Sequence, residues 1–241
     1  MLDLVERINM TKPKRDFLDH FYISLRHRYA FHTVGKAANS TVKYLLYRQE
    51  IAGTHFKLPS VHNRAESPLL SAYQLSSSDL ERVLTSDDFF RFTFVRNPYS
   101  RLLSCYLDRI RPGNTKPYRE LVSAIEKGPD YSPTFSEFIE TICSQSIKKQ
   151  NNHWRVQFYD AMCNVLNYHY IGKQESFSED FNNVHQKIFG YLPPPDTLNV
   201  NASPSKTAAS SRIEEFWTPN LKRLVAEKYQ EDFDFFGYEC A

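Results

Sequence analysis

The sequence is poor in the features that most quickly betray a protein's class. It has 4 cysteines and 7 glycines in 241 residues, and no apolar run approaches the ~20 residues that a membrane span needs. Met1 to Arg15 lacks the apolar centre of a secretory signal. Cys105, Cys143, Cys163 and Cys240 are widely spaced and form no C-x-x-C pair, which predicts free thiols in a reducing compartment. Charge of one sign is missing too. With 30 basic and 28 acidic side chains the net charge is +2, too small to indicate a nucleic-acid or membrane partner from bulk electrostatics. Any anion site must therefore be local. The lack of heptads, with 15% aromatic residues, excludes coiled coils and disorder.

What is present describes one globular domain over residues 1–241, with a helical extension over 1–28 and a long loop over 191–211. That size is enough to bury a substantial core. Sequons occur at Asn9, Asn39 and Asn201, and Asn39 lies in a loop where a glycan would block a ligand. That position favours cytosolic residence.

The run Tyr29 to Val34 reads as a strand ending at Gly35, and a helical pattern follows from Thr41 to Glu50. Phe89 to Val95 is a second strand, broken at Asn97-Pro98, where Asn97 caps the next helix and Pro98 suits its first turn. Tyr99, Leu102, Leu103, Tyr106, Leu107 and Ile110 form the buried stripe of that helix. Ser132-Pro133 opens another helix, Tyr168 to Ile171 is a third strand, and a helix over Phe177 to Phe189 stops at Gly190. Tyr191 to Ser211 holds four prolines and reads as loop. Trp217 to Tyr229 is a final helix before an aromatic tail. Strands alternating with helices imply an α/β fold with a mainly parallel sheet covered on both faces.

Gly35-Lys36-Ala37-Ala38-Asn39-Ser40-Thr41 lies between strand and helix, where backbone amides and the helix N-terminus make a concave anion site. It is not a Walker loop, because Lys36 is followed by Ala37 and the upstream glycine is absent. The second strand ends in Arg96 rather than the aspartate that would hold magnesium in a nucleotide triphosphatase. Arg96 with Ser104 from the following helix can grip a phosphate by charge-assisted hydrogen bonds. Two such clamps can hold two separated phosphates of one nucleotide with no metal.

Phe94-Val95-Arg96-Asn97-Pro98-Tyr99-Ser100-Arg101-Leu102-Leu103-Ser104-Cys105-Tyr106 resembles the 3′-phosphate motif of sulfotransferases, and the Lys36 loop resembles their 5′-phosphosulfate loop, with Gly35 in place of the usual proline. His153-Trp154-Arg155-Val156-Gln157 and Tyr170-Ile171-Gly172-Lys173-Gln174-Glu175 resemble blocks of carbohydrate sulfotransferases, Val156 replacing a proline. The closing Asp232 to Tyr238 segment also fits. The resemblance implies a three-layer P-loop-like fold and transfer of a sulfuryl group from 3′-phosphoadenosine 5′-phosphosulfate (PAPS) to a hydroxyl of a carbohydrate or other hydroxylated acceptor. Adenosine 3′,5′-bisphosphate is the expected product. It also implies a soluble cytoplasmic enzyme of bacterial type, or else the lumenal domain of a Golgi protein.

On that resemblance Lys36 stabilises charge developing on the bridging oxygen. Gly35, Ala37, Ala38, Asn39, Ser40 and Thr41 cradle the 5′-phosphate, Arg96 and Ser104 hold the 3′-phosphate, and Lys206 closes over the donor from the long loop. Arg101 is open to two readings, a phosphate ligand or a salt bridge to Asp108. The base for the acceptor hydroxyl is sought among histidines: His62 between the two phosphate motifs, His153 in the third block, with Glu66 as a further candidate. His32, Trp154, Tyr159 and the aromatic tail read as packed. The acceptor pocket falls to the loops Gly53 to Ser78 and Arg111 to Tyr131. The competing classes are a P-loop kinase or triphosphatase and a non-catalytic nucleotide-binding module.

Overall fold

The computed structural model describes residues 7, 12–58, 60–194, 198 and 207–240. Its centre is a four-stranded sheet in the order β1 (Phe21–Ser24), β2 (Tyr29–His32), β3 (Phe90–Val95) and β4 (Tyr170–Lys173). β1 runs antiparallel to β2, pairing Phe21 with His32. The other pairings are parallel, Tyr29 opposite Phe90 and Phe92 opposite Tyr170. The carboxyl ends of β2, β3 and β4 therefore share one edge, where α/β sheets hold their ligands. The expected fold class is observed.

Alternation along the strands feeds two cores. Tyr29, Phe31, Phe92 and Phe94 pack against Val42, Leu45 and Leu46 of α2 (Asn39–Glu50) and against Phe181 and Val184 of the helix Phe177–Phe189. Phe21, Ile23 and Ala30 pack with Phe17 of α1 (Lys14–Asp19) and with Val83 and Leu84 of α3 (Ser77–Thr85). The largest cluster lies beyond the sheet, where Trp154, Trp217 and Phe233 join α4 (Pro98–Cys105), α5 (Lys116–Ala124) and α6 (Phe135–Ser144). Trp154, Phe233 and Phe236 are core as expected, whereas Tyr159 and Tyr238 are half-buried and Phe235 is exposed. Gly172 is required by packing, since a Cβ there would meet the Phe94 ring at 2.5 Å.

Local chemistry explains the helix ends. The Asn97 side chain accepts from the amides of Tyr99 and Ser100 with Pro98 in the first turn. Gly190, at φ 81°, ends the helix that begins at Phe177. Elsewhere the expectations need correction. Among the described residues of the expected helical extension over 1–28, α1 is followed by the edge strand β1, buried by pairing that local pattern does not reveal, so the stretch over 21–24 is not helical. The helix expected at Ser132 starts after Thr134, whose capping box with Glu137 outcompetes the Ser-Pro pair. Between Arg111 and Tyr131 the chain forms α5 rather than an open loop. The loop expected through 211 tightens into a turn over Ala209–Arg212. The tail continues as α-helix over Gln230–Phe236. The helix after Asn97 is α-helical only to Cys105; Tyr106–Ile110 is a π-turn, whose added residue re-aims Asp108 and Arg109.

Candidate functional site

A cleft of about 810 Å³ opens at the carboxyl edge of the sheet. Gly35, Lys36, Ala38, Asn39, Ser40, Thr41, His62, Arg96, Ser104 and His153 all line it. Segments more than a hundred residues apart are thus brought to one site. The segment Thr207 to Ser211 also lines it, while Lys206 lies outside the described residues.

The loop over 35–41 has the geometry of an anion nest. Lys36 (φ 67°) and Ala38 (φ 57°) adopt left-handed backbone with Ala37 between them. Ala38 precedes α2 without a side-chain cap, which leaves the first helical amides for a ligand. Ala37 is a correction. Its side chain is fully buried against Val34 and Ala161, and its amide donates to the Val34 carbonyl, so it braces the turn rather than facing the cleft. Gly35 is demanded by contact: a Cβ there would meet the Asn152 carbonyl oxygen at 2.6 Å.

Lys36 Nζ donates to Asp108 Oδ2 at 2.7 Å, both side chains being about nine-tenths buried. Arg109 Nε lies 3.0 Å from the same oxygen, without the alignment of a hydrogen bond. Asp108 thus pairs with Lys36 and Arg109, not Arg101. Arg101 is fully buried and donates Nε to the Gly35 carbonyl (2.7 Å), Nη1 to that of Arg155 (2.8 Å) and Nη2 to that of Asn152 (3.2 Å). Both sequence readings of Arg101 are overturned, because its guanidinium is spent joining the loop over 35–41 to the 152–155 loop.

Arg96 Nε donates to Ser100 Oγ (2.9 Å) and Nη2 to Ser210 Oγ (3.2 Å), while Thr207 Oγ1 donates to Ser104 Oγ (3.2 Å). Hydroxyls of the 207–211 segment therefore meet both residues expected to bind the 3′-phosphate. The third block supports the second: Gln157 donates to the Arg96 carbonyl and accepts from its amide, and buried Asp232 holds Gln157 in turn. Burial raises the Asp232 carboxyl to about 6, against the pull of Arg101 and of its hydrogen bonds.

His62 is exposed on a loop that Lys43 fastens by donating to the Val61 carbonyl at 2.7 Å. Burial first, then Lys43 and Arg109, lower its pKa. His153 lies deeper, and burial with Arg109, Lys36 and Arg101 pushes it down to about 3. Glu66 is exposed and lies outside the residues lining the cleft. His32 is packed as expected, with Tyr168 and Lys12 on its two nitrogens. Sequence reasoning missed His20, Lys43, Arg109 and Asn152 of the cleft wall. Lys43, seven residues after Lys36 on an otherwise apolar face, was the one available signal. Among the described residues no group of three or more His, Cys, Asp or Glu could hold a metal, and no helix is long and apolar enough to cross a membrane. All four cysteines are free.

Residues 19–239 match the Sulfotransferase family, and the chain belongs to it. Human carbohydrate sulfotransferase 14 is 26% identical over 93% of this chain and 61% of its own length. Mouse carbohydrate sulfotransferase 11 is 25% identical over 92% of this chain and 67% of its own. Carbohydrate sulfotransferase 12 of Xenopus laevis is 25% identical over 94% and 61%. The chain thus spans about three-fifths of the length of the first of these relatives. No solved structure gives a significant match.

Proposed function

We propose that this protein transfers a sulfuryl group from PAPS to a hydroxyl of a carbohydrate acceptor. The observation that carries the reading is a single cleft lined both by the uncapped Lys36 loop and by Arg96 with Ser104, which offers two separated cationic positions to two anionic groups. Family membership and the carbohydrate sulfotransferases among the relatives support it. When bound, the donor supplies an activated sulfuryl group and a phosphate leaving group.

The chain's own residues account for the rest. Lys36 and the amides before α2 stabilise negative charge as it develops on the leaving oxygen, a task for which fixed donors need no reorganisation. Arg96, pre-set by Ser100, holds the 3′-phosphate together with Ser104, and this pair selects the donor over ATP. Thr207 and Ser210 cover these two side chains and limit the entry of water. Asp108 offsets the charge of Lys36 in the free protein. A cleft histidine, His62 or His153, takes the acceptor's proton. We further propose a cytoplasmic setting, consistent with the four free thiols.

The test is transfer of labelled sulfuryl from PAPS to a panel of oligosaccharides, with thermal shifts by adenosine 3′,5′-bisphosphate in parallel. Transfer, and its loss by ~10² or more in Lys36→Ala, are the expected results. Magnesium-dependent ATP turnover without transfer would overturn the reading in favour of a kinase. Tight bisphosphate binding with no transfer to any acceptor would mark a binding module.

A further inference from the structure

Behind His153 a short polar chain leads out of the cleft. Asn151 Oδ1 accepts from the His153 backbone amide at 2.9 Å and lies 2.8 Å from His153 Nδ1. Asn151 Nδ2 donates to Oε2 of Glu120 on α5, whose other oxygen is 3.6 Å from Lys116 Nζ. This arrangement fixes the protons. A carboxylate only accepts, so the amide must turn its NH₂ to Glu120 and its oxygen to the ring; that oxygen only accepts, so Nδ1 must carry the imidazole hydrogen. The lone pair is left on Nε2. Asn151 is not among the cleft-lining residues, whereas His153 is, so the nitrogen bound to Asn151 is the rear of the ring. Among the described residues no hydrogen bond engages Nε2.

We propose that Glu120 and Asn151 are positioning residues that lock the tautomer of His153 and present its Nε2 as the proton acceptor of the transfer reaction. The inference rests on the sulfotransferase reading and singles out His153 over His62. As the acceptor hydroxyl oxygen bonds to sulfur, its proton passes to Nε2. The electron pair of the broken S–O bond leaves on the 5′-phosphate oxygen beside Lys36, and the imidazolium keeps its Nδ1–H on Asn151. The charged groups around the ring explain when it becomes basic. In the free protein, burial and the cations Arg109, Lys36 and Arg101 outweigh Asp160 and hold the ring neutral. An anionic ligand on those cations restores its affinity for a proton.

The experiment uses the full chain labelled with ¹⁵N-histidine, with the His153 signal assigned by its loss in His153→Gln. Long-range ¹H–¹⁵N spectra should report an Nδ1–H tautomer, and saturating adenosine 3′,5′-bisphosphate should move the ring's titration upward. Asn151→Leu should lower kcat by ~10-fold or more, short of the ~10²–10⁴ for loss of a base, with the donor KM within about twofold. The pair Glu120→Gln with Asn151→Asp keeps the charge and reverses the donor and acceptor at that joint, so it should recover kcat to within about threefold. An Nε2–H tautomer in the wild type overturns the proposal, as does an undiminished kcat in Asn151→Leu. If Asn151→Leu does not fold, the wild-type spectrum and the reversed pair decide. Absence of any transfer with an Nδ1–H ring would sink the sulfotransferase reading and leave the tautomer lock standing, which separates the two failures.

Discussion

Replacing Arg101 with methionine tests the joint on which the cleft depends. The guanidinium has no exposed surface, and three carbonyls, of Gly35, Arg155 and Asn152, receive its hydrogen bonds at 2.7, 2.8 and 3.2 Å. Methionine fills much of the same space and donates nothing. One buried and two part-buried carbonyls left without this partner, at ~1 kcal/mol or less each, give a loss of about 2 kcal/mol, and relief from burying the charge reduces that figure without reversing it. Urea unfolding with an unchanged m-value measures the difference as a fall in midpoint. Arg101→Lys, which reaches fewer carbonyls, should fall in between. The charge has a second readout: Arg101 pulls Asp232 down, so in the methionine variant Asp232 should titrate above its present value of about 6. A methionine variant within ~0.5 kcal/mol of wild type, or an unmoved Asp232, would refute the claim that this arginine is the fastener.

Acid should destabilise the protein. His20 and His153 are pushed by burial down to about 4 and about 3, so the unfolded chain, titrating near 6.5, binds protons first. Stability is full above that value and lost as pH falls toward the folded values, by ~2 kcal/mol for each ring at pH 5. Asp232, raised to about 6, works in the opposite sense by ~1.4 kcal/mol, while His32, held well below the usual value by burial, adds to the loss, so urea unfolding at pH 5 should give a value at least ~2 kcal/mol below that at pH 7. Equal stability at the two pH values would count against the buried neutral rings. Gly35→Ala places a Cβ 2.6 Å from the Asn152 oxygen and 3.1 Å from His153 Cα, and should cost ~1–3 kcal/mol as a lower Tm with weaker bisphosphate binding. An unchanged Tm would show that the 152–153 loop yields freely. Asp108→Asn removes the carboxylate paired with Lys36 and should tighten bisphosphate binding by roughly tenfold, ~1.4 kcal/mol, in a salt-dependent manner seen by calorimetry; weaker binding would instead make Asp108 an organiser of the lysine.

Much of the frame was legible locally. Asn97 and Pro98 announce a helix start, Gly190 announces a stop, and the aromatic strands announce themselves by residue type, because caps and strand propensity act over a few neighbouring residues. β1 was not legible, since an edge strand of four residues is defined by its antiparallel partner rather than by its own pattern. The Glu137 box at Thr134 and the helix within 111–131 are local signals that were outweighed by nearby prolines and glycines.

By itself the sequence determined the two segments expected to bind anions and the order in which they follow their strands, because strand, small-residue turn and helix N-terminus form one contiguous unit. Its near-balanced charge and few glycines left the ligand to a local site built on Ala38 and Lys36. Only the tertiary structure decided what each charged group does there. Arg101 turned from the cleft to three carbonyls, Asp108 found Lys36 seventy-two residues away, and His153 gained Asn151 and, through it, a glutamate on another helix as partners. Those assignments depend on which partners burial brings within hydrogen-bond reach, and a buried charge takes whichever partners the fold supplies because leaving it unpaired costs more than any local preference.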